Sequence, residues 1–183
     1  MPGLIDCHVH VGAWSLDLWS NTVVPASLSA LRSARVTEEV LGCGFTTLHD
    51  LGGADTGLVC AVEDGLVNGP RLITCSKGLT VTLGHTDPRL RGDNRPGLLF
   101  ERVGSMSVIA DVVDDVRATC PTMIKEGAKF IKVMANGGAY HPMTRPTRSS
   151  IHAMKLPPWS KRAKRSVSGR QNSPRSILCA RPG

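Results

Sequence analysis

Met1-Pro-Gly-Leu-Ile-Asp-Cys-His-Val-His-Val-Gly12 opens the chain with a short apolar run that ends in two histidines one residue apart. Side chains alternate faces along a strand, so residues at i and i+2 point the same way. His8 and His10 therefore project together from the end of one strand, with Asp6 below them on the same face. Two imidazoles side by side make the start of a metal site. The residues alone leave the alternative of two histidines at a strand edge with no ligand role.

Outward from this strand, read as Leu4 to Val11, the chain alternates. Residues 13–26 read as irregular. Ser27 is a candidate cap for a helix to about Leu41, with Leu28, Leu31, Ala34 and Val40 as its apolar positions. Phe45 to Leu51, rich in β-branched residues, predicts a second strand. Asp55 can cap a short helix from about Thr56 to Leu66, and Arg71 to Ser76 predicts a third strand. Residues 79–104 read as a Gly/Asp/Arg/Pro-rich loop, too long for an idle connection. Met106, Ile109, Val112, Val113 and Val116 lie at helical spacing, Pro121 opens a second helical segment to Glu126, and Phe130 to Ala135 predicts strand four.

Three successive strand-helix-strand crossovers predict parallel strands in an α/β sheet or barrel. Ligands meet the carboxyl ends of such strands, where His8, His10, His49, Asp50, Lys77, His85 and Lys132 gather. Lys132, inside F-I-K-V-M-A (130–135), is the most anomalous, because a buried strand rarely holds a lysine without a partner. The alternative is a lysine that snorkels at a strand edge.

Composition limits the function classes. No run of 18 apolar residues predicts a membrane span, and no secretory pattern stands at the N-terminus. This points to a cytoplasmic protein with no membrane partner. The 6 cysteines form no C-x-x-C, so reduced and mostly buried thiols are expected. The net charge of +7 is unevenly placed. Residues 1–142 hold 12 Lys/Arg against 15 Asp/Glu, whereas residues 143–183 hold 10 Lys/Arg and no acid. The main boundary therefore falls at residue 142.

Five segments resemble the amidohydrolase superfamily, in its imidazolonepropionase-like and Xaa-Pro dipeptidase-like branch. They are P-G-L-I-D-C-H-V-H (2–10), G-F-T-T-L-H-D-L-G-G (44–53), N-G-P-R-L (68–72), G-H-T-D (84–87) and G-A-K-F-I-K-V-M-A-N-G-G (127–138). The resemblance implies a partial (β/α)8 barrel over residues 1–142, about the first four βα units. It places His8 and His10 as strand-one metal ligands and Lys132 as a carboxylated lysine bridging two divalent metals, usually zinc. It places His85 on a loop facing the substrate, and His49 and Asp50 as supporting residues. Two bridged metals lower the pKa of a bound water and polarise a carbonyl. The implied reaction is hydrolysis of an amide-type C–N bond, either in a dipeptide or in a cyclic amide.

The family's later histidine ligands and its catalytic aspartate have no counterpart here, so the catalytic residue stays unassigned. His141 and His152 sit in no apolar strand. Four strands would also leave open barrel edges, which invite self-association or aggregation. The chain is thus expected to be an incomplete, inactive fragment of a metal-dependent hydrolase. The tail 143–183 reads as disordered or frame-shifted. Met154 is ATG and Lys155 is AAA or AAG, so reading from the last base of Met154 forces a glutamate codon. One permitted codon choice through Arg162 gives D-E-A-A-A-V-V-E-E, an acidic alanine-rich helix. The alternative is a non-enzymatic interaction protein with a nucleic-acid-binding tail centred on K-R-A-K-R (161–165). The enzyme reading needs no nucleic-acid partner.

Overall fold

The computed structural model describes residues 1–87, 89, 92 and 103–135. Strands β1 (Leu4–Val9), β2 (Phe45–Asp50) and β3 (Arg71–Thr74) lie side by side in that order, all parallel. A second parallel sheet has β4 (Gly78–Thr80) between β5 (Ser107–Ile109) and β6 (Lys132–Val133). Helices α1 (Leu18–Val23), α2 (Ala26–Gly42), α3 (Thr56–Glu63) and α4 (Val113–Lys125) fill the crossovers. Parallel strands alternating with helices, unclosed among the described residues, form an incomplete α/β barrel arrangement.

The two sheets share a neighbour. Lys129 N–H donates to the Thr74 carbonyl at 2.8 Å, and Met134 N–H donates to the Leu79 carbonyl at 2.8 Å. One stretch, 129–134, therefore runs beside both β3 and β4. The break between them falls at Ser76, whose φ of 62° is left-handed. Such a backbone costs a non-glycine residue about 1–3 kcal/mol. The expected strand 71–76 thus stops at Thr74, and a new strand runs from Gly78 into the first two residues of the expected 79–104 loop.

Helix packing follows from side-chain size. Leu48 and Leu72 from β2 and β3 pack with Val11 and Ala54 beneath Val40 of α2 and Leu58, Val59 and Val62 of α3. Leu79 of β4 packs with Val116, Cys120 and Met123 of α4 and with Ile131 and Val133. Fully burying each large aliphatic side chain contributes about 1.5–3 kcal/mol. A third cluster, Leu51, Cys75 and Phe130, joins the two sheets.

Several local expectations are corrected. The segment 13–26 contains α1, anchored by buried Asn21: its Oδ1 accepts from Ser15 N–H at 3.0 Å and its Nδ2 donates to the Ser15 carbonyl at 2.8 Å. Helix α2 buries Ser29, Ser33 and Thr37, while Leu28 and Leu31 are 37% and 70% exposed. Its buried hydroxyls bond back to the preceding turn, Ser33 to Ser29 and Thr37 to Ser33. The small face allows close approach, since a Cβ on Gly104 would meet Ser29 and one on Gly69 would meet Thr37. Pro25, rather than Ser27, precedes its first turn, with no side-chain cap. Asp55 does cap α3, accepting from Leu58 N–H at 2.9 Å.

Ser107–Ile109 is a strand rather than helix, because it pairs with β4 in register. Helix α4 starts at Val113 and runs unbroken through Pro121 to Lys125. Asp115 accepts from the Asp111 and Val112 N–H groups at its start. Strand four is trimmed to Lys132–Val133. The thiols are also more exposed than expected: Cys7, Cys43 and Cys60 are exposed, and Cys75 and Cys120 are buried. The tail 143–183 with its domain boundary, the 161–165 run, Cys179, His141, His152 and most of the 88–102 loop lie outside the described residues.

Candidate metal centre

His8 is the penultimate residue of β1, and His10 follows its end. Their rings meet edge to face with centroids 5.3 Å apart. His10 is half-buried, and its Nδ1 lies 3.0 Å from the Gly52 carbonyl. A carbonyl only accepts, so Nδ1 carries the proton and Nε2 of the neutral ring keeps its lone pair. Burial lowers the His10 pKa, the Gly52 hydrogen bond opposes that, and the charge of Lys132 lowers it further. The neutral, ligand-competent ring is therefore the favoured form. The same electrostatic influence brings Lys132 and His10 into one neighbourhood.

Lys132 is only 5% exposed. Glycines make room for it. Gly78 is its register partner on β4, and a Cβ there would stand 3.2 Å from the Lys132 Cγ and 2.9 Å from the Met134 Cε. Gly52, whose carbonyl holds His10, has a φ of +136°, and a Cβ there would stand 2.7 Å from the Met106 carbonyl. That same carbonyl accepts from Gly78 N–H at 2.9 Å. The route from His10 to Lys132 thus runs through Gly52, Met106 and Gly78; a side chain at Gly52 would meet backbone, and one at Gly78 would have to displace the Met134 methyl and crowd the Lys132 stem.

Asp50 does a different job. It is fully buried, and its carboxylate accepts from Val11 N–H at 2.9 Å, Gly52 N–H at 3.0 Å and Ala54 N–H at 3.2 Å. The Thr74 hydroxyl adds a longer bond at 3.3 Å. Burial raises its pKa, against these four hydrogen bonds. The carboxylate thereby ties the end of β1 and the Gly52-Gly53 turn to β3. His49 stacks on Phe130 with centroids 4.0 Å apart and planes 13° apart, which joins β2 to the approach of β6.

His85 lies on the loop after β4. Its carbonyl accepts from the Thr80 hydroxyl at 2.7 Å and from the Thr86 hydroxyl. His8 and His10 are in ring contact, and the charge of Lys132 reaches His10; His85 lies on the loop beyond the end of β4, at the carboxyl end of the parallel strands. Gly52, Gly78 and Thr74 are participants that the sequence did not single out.

Two imidazoles and one buried amine fit one wall of a metal site. They do not complete a two-metal ligand set, and no group of three or more His, Cys, Asp or Glu suited to a metal occurs among the described residues. The unmodified lysine is a cation, which repels a divalent ion. No helix among the described residues is long and apolar enough to cross a membrane.

The comparisons agree with this architecture. The amidohydrolase family profile matches residues 1–154. The chain is 36% identical over 149 residues to the ochratoxinase of Aspergillus niger, covering 75% of this chain and 31% of that protein. A prolidase crystallised with N-methylphosphonate-L-proline superposes with a TM-score of 0.78 at 43% identity, over 81% of this chain and 37% of its own. The A. niger ochratoxinase structure superposes with a TM-score of 0.68 at 34% identity, over 80% and 36%. The chain belongs to the amidohydrolase family. It spans about a third of the length of these relatives.

Proposed function

We propose that this chain carries the first metal-ligand wall of a hydrolase for C–N bonds, acting on a dipeptide or another small amide. The observation that carries the reading is His10: its Nδ1 is fixed by Gly52, its neutral form is favoured, and Lys132 stands in electrostatic range. A hydrogen bond to the far nitrogen is how metal-binding histidines are commonly oriented. His8 and His10, with Lys132 as a carbamate, would hold a divalent ion, zinc by family expectation. Such an ion supplies an activated water and polarises the scissile carbonyl. The carbamate replaces the lysine's positive charge with anionic oxygens, which removes the repulsion noted above. Asp50 holds the β1 end in place, and His85 contacts the substrate. The named relatives, a prolidase and an ochratoxinase, support the C–N bond class.

The chain by itself is proposed to bind metal without turning over substrate. Its coverage of about a third of the relatives and the exposed Leu4 and Ile5 on β1 support that reading. The test is zinc binding by the purified chain in bicarbonate buffer, read by metal analysis and calorimetry. Binding that is lost in His10→Ala and Lys132→Ala supports the site. Equal binding by a His8→Ala/His10→Ala double variant sinks it. Turnover of Xaa-Pro dipeptides by the isolated chain would overturn the inactive reading and keep the site.

A further inference from the structure

The loop that carries His85 is built around one carboxylate. Asp87 is 1% exposed and accepts from Leu83 N–H at 2.9 Å, on the near side of His85. On the far side it accepts from Arg89 N–H at 3.2 Å, Arg89 Nε at 2.9 Å and Arg89 Nη2 at 3.0 Å. Arg89 Nη2 also reaches the Thr82 hydroxyl at 3.1 Å. Thr82 in turn is clamped by Asp111, which accepts from its N–H and its hydroxyl, both at 2.7 Å.

Two strands hold the middle of the loop from beneath. Thr80 at the end of β4 donates to the His85 carbonyl at 2.7 Å, and Ser107 of β5 donates to the Thr86 carbonyl at 2.8 Å. These bonds enforce an unfavourable backbone. Leu83 has a φ of 59° and Thr86 a φ of 73°. A left-handed β-branched residue is rare and persists only where its surroundings over-determine it. A connecting loop with no task has no need of a buried ion pair or of two non-glycine left-handed residues.

We propose that Asp87 is a positioning residue for His85, fixing the loop on both sides so that the imidazole is presented in one orientation at the strand ends. This rests on the reading of His85 as a substrate contact. The Asp87 carboxylate is the keystone because it accepts from a residue before the histidine and from Arg89 after it, and Arg89 in turn reaches back to Thr82. The Arg89 fork makes the arrangement bidentate, which a lysine cannot reproduce.

The test uses the full chain, isotopically labelled, with histidine ring and backbone signals followed by NMR. In Asp87→Asn the His85 ring signals are expected to broaden or split, while those of His49, displaced by its stack on Phe130, stay in place as a control for the fold. Arg89→Lys is expected to give a smaller change at the same signals. Unchanged His85 signals in both variants overturn the proposal. If Asp87→Asn unfolds the chain, Arg89→Lys decides: a change confined to His85 supports the proposal, and none overturns it. Zinc added to wild type reads the metal wall separately. Shifts at His8 and His10 support the hydrolase reading whatever Asp87 does, and their absence counts against that reading without altering the Asp87 result.

Discussion

Strand β1 and strand β6 carry the two halves of the proposed metal wall, and they live in opposite environments. Beside His8 and His10, Leu4 is 54% and Ile5 is 64% exposed. Around Lys132, Ile131, Val133 and Met134 are all buried. Both strands are outer members of their sheets among the described residues, but β6 is covered by the α4 cluster and packed close to Gly78 of its neighbour. The difference teaches that ligand placement and ligand enclosure are separate achievements. Asp50 and Gly52 place a half-buried His10; Lys132 is enclosed by its core.

The sharpest way to break this contrast is Asp50→Ala. It strands three buried N–H groups at the junction of β1 with β2 and β3. Roughly 3–5 kcal/mol of stability should be lost, each unsatisfied buried group costing about 1–3 kcal/mol. Urea unfolding of the pure chain reads this directly. A loss under about 1 kcal/mol would mean that the β1 junction is held by something else.

Leu79→Ala should come next. Leu79 is fully buried at the centre of the α4 cluster, and such truncations cost about 2–5 kcal/mol. Leu4→Ala is the matched change on the open side and should stay within about 0.5 kcal/mol. Equal losses at both positions would erase the contrast. A Leu4→Ala loss that grows with protein concentration would show the β1 edge covered by a second copy.

A smaller effect lies in acid. Burial alone would raise the Asp87 pKa, but Arg89 and the backbone donors outweigh it and hold the carboxyl below its ordinary 3.8. The folded state then binds the proton less readily than the unfolded chain. The contribution of Asp87 is present above about pH 4 and is lost as pH falls through the folded value. The stability gap between wild type and Asp87→Asn should accordingly narrow below pH 4, measured by unfolding at pH 6, 4 and 3. A gap independent of pH would assign the effect to shape rather than charge.

Much of the frame was legible before any coordinates. Alternating apolar runs and glycine breaks predict parallel strands at 4–11, 45–51, 71–76 and 130–135, and each forms in shortened bounds, at 4–9, 45–50, 71–74 and 132–133. Spacing puts His8 and His10 on one face and marks Lys132 as an anomaly in an apolar strand; their joining into one metal set comes from the family resemblance. What stayed hidden has physical causes. Ser29, Ser33 and Thr37 sit on the buried face of α2 because close packing there selects small size over hydrophobicity, which inverts the periodic pattern. Ser107–Ile109 looks helical by spacing but takes its form from pairing with β4, a long-range influence. Gly78 and Gly52 matter through the side chains that they omit, and omission leaves little trace in a linear pattern.

The open side of β1 has a consequence beyond chemistry. Among the described residues β1 pairs with β2 alone, and an edge flanked by exposed leucine and isoleucine is also a handle for quality control, since extended apolar segments are what chaperones grip and proteases follow. An edge of that kind ties the survival of the chain to the covering of Leu4 and Ile5 as well as to the stability of the α4 core.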